Sequence, residues 1–373
     1  MTYGPFLPLG VLNGMNREVP LLKGKGEPAA IERVRRVTLG FYALVTVVAG
    51  MGLFAGACLA KDGITRSAIH CTTILFVSAQ FYSYMQCYLV SDTRFREMSR
   101  HLLLLAALLP AMGVPLARAL GLNGFILGQA ATMFVVALLI SYRARVAMVP
   151  KWNALELRRL VRIGFPIASV GLLWGLLMTV DRWIVLTLLG TTKLGYYSLE
   201  IMVFGAVNLL PGIISAQVYP RMAETFGKTG TYDSLKKWIH GQILASTAIT
   251  LVVVVAIYLV FPPVVRSFLP HYVEGIPAVK IALPGLLFLP VGGAWGNFLN
   301  TADKQKYYLA IQAVALPVDV ALSVVMVGLG LGINGVALAM TITLFLYSAT
   351  LLAVGRSILR NGMSRQIAVE TVT

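Results

Sequence analysis

Apolar runs long enough to cross a lipid bilayer recur from one end of this 373-residue chain to the other. About 20 consecutive apolar residues suffice for one helical crossing, and in hydrocarbon only helices and closed barrels satisfy every backbone hydrogen bond. Hydrophobic residues make up 58% of the chain and charged residues 12%, about half the charged share of an ordinary soluble domain. The sequence therefore predicts a polytopic, all-α membrane protein.

We predict a short apolar stub at residues 3–15, a basic loop at residues 17–36 and then ten full spans. An amphipathic segment at residues 151–162 separates the fourth span from the fifth. The predicted spans are residues 37–60, 67–90, 102–120, 122–142, 163–189, 195–219, 239–261, 275–299, 307–329 and 332–354. Counting the stub, the chain would carry 10 or 11 transmembrane helices.

Basic residues are divided unevenly between the two sides of this layout. Of the 31 Lys and Arg residues, 24 lie in the C-terminal tail and in alternate loops, six lie in the other loops, and Lys280 lies inside a span. Lys and Arg concentrate on the cytoplasmic side, so this division predicts a cytoplasmic C-terminus. The formal charge of +16 would then face anionic lipid, which argues against a nucleic-acid partner.

Short motifs repeat at an offset of 211 residues. Asp92 in the sequence Ser-Asp-Thr-Arg matches Asp303 in Ala-Asp-Lys-Gln, and Gly121 in Gly-Leu-Asn-Gly matches Gly332 in Gly-Ile-Asn-Gly. Repeats of this kind are typical of transporters built from two related helical halves. We therefore predict two pseudo-symmetric, parallel six-helix repeats.

The two predicted lobes are residues 1–150, the N-terminal transmembrane lobe, and residues 151–373, the C-terminal transmembrane lobe. The counterpart of the span at 163–189 would fall before residue 1, so the N-terminal lobe is expected to be incomplete. We expect truncation or a misplaced start to account for this, with a natural short form as the alternative.

Ionised side chains inside the predicted spans are the strongest functional signal. A charge at the bilayer centre costs about 2.5–3.5 kcal/mol on insertion scales, so such residues usually face a protein interior or a watery cavity. We expect Arg182 and Lys280 to be cavity cations that bind substrate, with Glu200 and Lys280 as a plausible pair. Asp181, Glu200 and Asp319 are candidate cavity carboxylates that bind a coupling ion. The alternative is that these side chains pair locally, cap helices or extend to the interface.

A stripe of small residues leads to one of these cations. Its members are spaced three or four apart along one predicted helix: Gly164, Ala168, Gly171, Gly175, Met178 and Arg182. Small stripes usually allow close helix packing. The alternative is a cavity wall that opens towards Arg182.

Two aspartates lie in predicted cytoplasmic loops. Asp92 and Asp303 are expected to cap the helices that follow them. With Arg94, Arg96 and Lys304 they could instead form a cytoplasmic gate.

An enzyme is not predicted. Gly330-x-Gly332-x-x-Gly335 has the spelling of a dinucleotide fingerprint, but no strand precedes it and no acidic residue follows where one is required. The histidines are scattered, and no nucleophile lies in a motif with a base. We therefore predict no catalytic residue, no cofactor and no metal site, apart from a proton or sodium ion used in coupling.

Five segments form a recognisable pattern: residues 9–26, Phe-Pro at 165–166, Val-Asp-Arg at 180–182, Leu-Gly-Tyr-Tyr at 194–197 and Tyr-Pro-Arg-Met-Ala-Glu at 219–224. Together they resemble a known family, the polysaccharide flippases (O-antigen-type oligosaccharide flippases) of the multidrug/oligosaccharidyl-lipid/polysaccharide exporter superfamily. The first of them resembles the end of that family's second helix and the loop after it. The likeness is a profile of loosely spaced residues rather than one diagnostic motif.

The resemblance implies a MATE-like fold of two six-helix lobes around a V-shaped cavity. It also implies an activity, the translocation of undecaprenyl-diphosphate-linked oligosaccharide across the inner membrane by alternating access. The implied partners are the lipid-linked oligosaccharide, membrane lipids, and the polymerase and chain-length machinery of O-antigen or related lipopolysaccharide synthesis. Two alternatives stay open: a cation-coupled small-molecule (multidrug) exporter of the same fold, and a non-transporting membrane scaffold of a glycan-assembly complex.

Overall fold

The computed structural model describes residues 8–60 and 62–370, and it describes the side chains as far as residue 361. Within those ranges the chain is helical between its turns and contains no strand. Short 3₁₀ helices at Asp233–Leu235 and Pro270–Gly275 precede α7 and α8. The α-helices are α1 (Val11–Lys25), α2 (Pro28–Cys58), α3 (Gly63–Ser91), α4 (Phe95–Ala144), α5 (Ala154–Leu189), α6 (Thr191–Thr229), α7 (Lys236–Phe268), α8 (Ile276–Leu286), α9 (Leu289–Thr301), α10 (Gln305–Gly328) and α11 (Gly332–Glu370).

The helices have the length and composition of membrane spans. Among the described residues, α2, α4, α5, α6, α7, α10 and α11 are each long and apolar enough to cross a membrane. The pair α8 and α9, bent by 40° at a short break, makes an eighth if it is counted as one span. Helix α3 occupies the predicted span at residues 67–90 without being one of the seven. The predicted all-helical, multi-pass membrane fold is confirmed.

The predicted basic loop at residues 17–36 is mostly helical, so this prediction is wrong. Helix α1 ends at Gly26, whose φ of 74° is the left-handed conformation common after a helix, and Pro28 begins α2. Glu18 is fully buried and pairs with Arg17 and with Arg159 of α5. Because these charges neutralise one another inside the protein, a charged sequence forms a buried helix here. Residues 3–7 of the predicted stub lie outside the described residues.

Helix α4 consists of two helical segments that meet at Gly121, where the backbone leaves helical geometry with φ 60° and ψ −138°, so the predicted break between the spans at 102–120 and 122–142 is confirmed. Two other predicted boundaries differ from the structure. Helix α5 takes in nearly all of the segment at 151–162, and its first turn is capped by the Asn153 side chain, which accepts from the Glu156 N–H at 3.0 Å. The span at 275–299 is broken between α8 and α9, close to Pro284 and Pro290, which remove backbone donors.

The chain forms two compact units, Met1–Ala168 and Ser169–Thr373, and the division between them lies inside α5. The predicted division at residue 150 lies just before that helix. In the first unit α1, α2 and α3 pack against one another and α3 packs against α4. Its core includes Tyr84, Met85 and Ile140, each with 2% or less of its surface exposed.

The second unit is built around α8, α9 and α11. Helix α11 packs against both α8 and α9, these two pack against α6 and α7, and α10 packs against α9 and α11. Its core contains large side chains such as Phe298, Leu286 and Leu351, all fully buried. The same packing encloses polar side chains, and these define the candidate site.

Two turns, one in each unit, have the same local geometry. The turn after α3 places Thr93 at φ 61°, and the turn after α9 places Asp303 at φ 59°. In each turn the next residue donates its N–H five residues back, from Arg94 to Leu89 at 3.0 Å and from Lys304 to Leu299 at 2.8 Å. By conformation, therefore, Asp303 corresponds to Thr93 and not to Asp92.

Candidate functional site

Two acidic side chains from neighbouring helices are buried together in the second unit. Asp181 of α5 is 6% exposed and Glu200 of α6 is 4% exposed. Tyr197, one helical turn before Glu200, donates its hydroxyl to Asp181 Oδ2 at 3.0 Å. A short turn at Gly190 connects α5 to α6, so the chain reverses there and the side chains of Asp181 and Tyr197 come into contact.

A third carboxyl group, that of Asp319 in α10, joins this pair. Asp319 is fully buried and lies within electrostatic range of Asp181 and Glu200. The side-chain partners of Asp319 are the Asp181 carboxyl group and Thr343, and no cationic side chain in the described part of the chain pairs with it. Burying several carboxyl groups side by side is costly unless they are protonated or hold a cation between them.

A pocket of about 190 Å³ opens beside this carboxyl cluster, which consists of Asp181, Glu200 and Asp319. We name it the charged pocket. Asp181, Tyr197 and Glu200 line it, together with Arg182, whose side chain is exposed and lies within electrostatic range of Glu200. The charged pocket thus places one accessible cation next to acids that are almost closed off from solvent.

The structure does not bring Lys280 into this arrangement. Its ammonium group lies 4.7 Å from the centre of the Tyr258 ring, a cation–π contact between α8 and α7. Lys280 does not line the charged pocket and makes no ion pair with Glu200. The predicted pairing of Glu200 with Lys280 is therefore wrong.

Sequence reasoning missed the neutral members of the site. Tyr197 and Thr343 are buried near the carboxyl groups, and Ser323 lies one turn beyond Asp319 on the buried face of α10. The only signal for them was spacing, because Tyr197 precedes Glu200 by three residues and Ser323 follows Asp319 by four. Neutral polar residues are common in membrane helices, so this signal is weak on its own.

The small-residue stripe of α5 does both of the things expected of it. A Cβ on Gly164 would collide with the backbone of Gly10 and Gly14, so this end of the stripe allows close packing against α1. Gly171 and Gly175 have open space where a Cβ would be. Further along the stripe, Met178 and Arg182 line the charged pocket.

Gly171 lines a second pocket of about 270 Å³, which we name the neutral pocket because no Asp, Glu, His, Lys or Arg lines it. Its walls come from α5, α6, α9, α10 and α11, all in the second unit. Asn208 of α6 lines both pockets, so the charged and neutral pockets adjoin.

The two loop aspartates do not cap the helices that follow them. Arg94 and Lys304 occupy the cap positions, and neither helix start has a side-chain cap. Asp92 instead pairs with Arg35 of α2 at 3.0 Å. Asp303 accepts a hydrogen bond from Gln305 Nε2 at 3.3 Å. The expected cap roles are wrong, and the gate role stays a prediction.

Comparison with solved structures identifies the class of protein to which this fold belongs. A MATE protein in a bent conformation superposes with a TM-score of 0.86 at 16% identity, covering 97% of this chain and 85% of that one. An outward-facing multidrug resistance MATE family transporter of the MOP superfamily gives 0.85 at 16% identity, covering 96% and 85%. A mutant of the MATE transporter VcmN from Vibrio cholerae gives 0.83 at 11% identity, covering 95% and 85%. The chain has the fold of MATE transporters, a fold of membrane transporters rather than of enzymes.

The family is defined by the sequence. A family model described as "Polysaccharide biosynthesis protein" matches residues 36–274, well over half of the chain. The chain belongs to this family of polysaccharide biosynthesis proteins. A comparison with curated protein sequences gave no significant match.

Proposed function

We propose that this protein is a flippase that moves a lipid-diphosphate-linked oligosaccharide across the inner membrane by alternating access, for the synthesis of a surface polysaccharide such as O-antigen. One observation carries the proposal: the carboxyl cluster is almost closed off from solvent, and the exposed Arg182 lines the same pocket as two of its members, Asp181 and Glu200. The family of polysaccharide biosynthesis proteins and the MATE fold support this substrate and this mode of transport.

The substrate explains the cation. A diphosphate-linked glycan is anionic and strongly polar, and its charge cannot cross hydrocarbon unaided. The guanidinium of Arg182 is permanently charged and presents paired donors that match phosphate oxygens. In the proposed mechanism Arg182 binds the diphosphate, while the polyprenyl chain stays in the bilayer.

The carboxyl cluster supplies the coupling. Glu200 attracts Arg182, so the charge on the carboxyl cluster influences how Arg182 binds the diphosphate. In the proposed cycle a proton or sodium ion enters the cluster from the outer side after the substrate has left, and it moves inward as the empty protein resets. Ion and substrate then move in opposite directions, as export driven by an inward ion gradient requires. Asp319 is the strongest candidate for the cation ligand because it is fully buried beside the Asp181 carboxyl group, and no cationic side chain in the described part of the chain pairs with it.

The orientation and partners follow from the same proposal. The excess of Lys and Arg in alternate loops supports a cytoplasmic C-terminus. A product released on the outer side would pass to a polymerase and to chain-length machinery. Asp92 and Asp303 remain candidate gate residues on the cytoplasmic side, and Lys280 is left out of the proposed substrate site.

The test replaces two site residues without changing their size greatly. In a strain that lacks the gene and its surface polysaccharide, Asp319→Asn and Arg182→Gln should each restore less than about a tenth of the polymer, because each removes a charge that the cycle needs. Matched controls are Asp233→Asn and Arg266→Gln, which remove exposed charges from outside the site. Membrane levels are measured for every variant. Full rescue by both site variants at normal levels would refute the proposed roles.

Purified protein in liposomes identifies the coupling ion. Transport of a lipid-diphosphate-linked disaccharide is driven either by a proton gradient or by a sodium gradient, and only the coupled gradient should accelerate it. Asp319→Asn should abolish that acceleration. Equal rates under both gradients and under neither would contradict coupled transport.

The multidrug exporter is a second candidate, favoured by the acids that line the charged pocket and by the description of one similar structure. Liposomes loaded with an aromatic cation such as ethidium test it directly. Cation efflux that Asp319→Asn removes, together with intact polysaccharide in the deletion strain, would favour this candidate over the flippase. If every site variant restores the polysaccharide but deletion does not, the scaffold alternative is favoured.

A further inference from the structure

The neutral pocket has an aromatic wall. Trp174 of α5 packs against Tyr347 of α11 with ring centroids 6.0 Å apart. The Tyr347 hydroxyl donates to that of Tyr308 in α10 at 3.3 Å. Tyr347 is buried, whereas Trp174 is only half-buried and lines the pocket. The indole ring is therefore held from behind and presents part of its surface to the pocket.

Ser215 of α6, which also lines the neutral pocket, is held by neutral hydrogen-bonding groups behind the wall. Asn297 Nδ2 of α9 lies 2.9 Å from Ser215 Oγ and 3.0 Å from Gln242 Oε1, which ties α6, α7 and α9 together. Ser215 lines the pocket, and its hydroxyl proton stays available because the oxygen is the acceptor in this contact.

Two further polar groups line the neutral pocket, those of Asn208 and Trp174. The Asn208 amide and the Trp174 indole N–H make no hydrogen bond to any residue in the described part of the chain, and both line the neutral pocket. An amide offers two donors and an acceptor, and an indole offers one donor. Free groups of this kind on a rigid wall are what a small polar ligand needs for orientation.

The chemistry of these walls selects the ligand. A pyranose ring has C–H groups on its faces, which pack on an aromatic surface, and hydroxyl groups around its edge, which need neutral donors and acceptors. A diphosphate or an organic cation would need a side chain of opposite charge, and no charged side chain lines the neutral pocket. A volume of about 270 Å³ is near the lower end of ordinary ligand pockets and suits one ring rather than an extended glycan.

We propose that the neutral pocket binds one uncharged pyranose ring of the lipid-linked glycan, next to the diphosphate held by Arg182. This rests on the proposed function. Asn208 lines both pockets and would contact the linkage between the ring and the phosphate. Along α5, Trp174 lies eight residues before Arg182, about 12 Å at 1.5 Å per residue, so the two groups address different parts of one ligand.

The test compares two probes on the full chain in nanodiscs, a prenyl diphosphate without sugar and the same prenyl diphosphate carrying one N-acetylhexosamine. The ratio of their dissociation constants measures what the sugar contributes. For the wild-type chain we expect the sugar-bearing probe to bind about tenfold more tightly, from one aromatic contact and one or two hydrogen bonds. Trp174→Leu should lower this ratio about twofold to threefold while the affinity for the sugar-free probe stays unchanged, and Trp174→Phe should lower it less.

Two more variants test the sugar site and the diphosphate site without changing Trp174. Asn208→Leu should lower the ratio about threefold to fivefold by removing one or two hydrogen bonds. Arg182→Gln should weaken both probes equally and leave the ratio as it is. Trp183→Leu is the matched control, because Trp183 lies on the same helix, is 66% exposed and lines neither pocket.

The outcomes separate the two proposals. If the wild-type ratio is near one, or if folded Trp174→Leu and Asn208→Leu variants keep the full ratio, the sugar site is overturned while the flippase proposal stands. If neither probe binds the wild-type chain, the flippase proposal fails and the sugar site fails with it. A reduced ratio in both variants with a normal ratio in Trp183→Leu supports the site.

Discussion

Replacing Gly164 with alanine should weaken the first unit of the protein. A Cβ at this position would lie 2.7 Å from the Gly14 N atom and in hard contact with the Gly10 carbonyl group. These neighbours are backbone atoms, so no side-chain rotation can make room. Gly10 has a φ of 75° and packs as closely in return, which makes the crossing of α1 and α5 tight on both sides.

The magnitude follows from two opposing terms. Glycine inside a helix is about 1 kcal/mol less favourable than alanine, so substitution gains that amount wherever there is space. Overpacking typically costs about 1–3 kcal/mol. Gly175 lies on the same stripe with open space around it, so Gly175→Ala keeps the helix gain without the steric cost. The difference between the two variants therefore isolates the steric term, and we expect Gly164→Ala to be less stable than Gly175→Ala by about 1–3 kcal/mol.

Thermal unfolding of the purified protein in detergent checks this expectation. For a unit of this size each kcal/mol shifts the melting temperature by about 2–4 °C, so the two variants should differ by at least about 2 °C. The wild-type chain should lie between them or near Gly175→Ala. Equal melting temperatures for the two variants would show that the α1–α5 crossing is not packed as closely as the structure has it.

Two further outcomes concern charges at helix ends in the first unit. Arg35 pairs with Asp92 at 3.0 Å, and its guanidinium lies 4.2 Å from the centre of the Tyr88 ring. A double-mutant cycle of Arg35→Ala and Asp92→Asn, measured by thermal unfolding, should therefore give a coupling energy of about 0.5–1 kcal/mol. If the effects of the two substitutions simply add, the ion pair does not stabilise the protein. Asp62 caps α3, and hydrogen bonds from the Thr65 hydroxyl and backbone N–H lower the pKa of its carboxyl group below the ordinary 3.8. The ionised Asp62 carboxylate therefore stabilises the folded protein above pH 3.8, and this effect is lost as the pH falls towards the lowered pKa of the folded state. The difference in melting temperature between wild type and Asp62→Ala should consequently shrink in acid. A difference that stays constant with pH would contradict the cap.

The buried acids could be predicted from the sequence because placing an ionised group within the hydrocarbon costs a large free energy. A carboxylate within hydrocarbon depth needs an unusual environment wherever it occurs, so Asp181, Glu200 and Asp319 stand out in an apolar sequence without any knowledge of the fold. The structure places these three near one another. Their use in coupling stays a prediction.

The partners of those charges were harder to predict. Depth along a helix can be counted from its end in the sequence, but the direction in which a side chain points cannot. Rotation about the helix axis and the break between α8 and α9 are set by tertiary packing, and in the structure Lys280 points to Tyr258. Neutral residues such as Asn208 carry too small a cost to be singled out in any one helix. The neutral pocket therefore became visible only when five helices were seen together.

The two loop aspartates show how a sequence repeat can mislead about function. An offset of 211 residues aligns Asp92 with Asp303, but the turns superpose by conformation with Asp303 in the place of Thr93, the residue of positive φ. Aspartate adopts that left-handed conformation readily, whereas a β-branched threonine does so at a cost. Asp303 thus has a local conformational reason to be where it is, and Asp92 has a different one, the ion pair with Arg35. A gate at the cytoplasmic side would have to use the two residues in different ways, because the fold does not place them in equivalent positions.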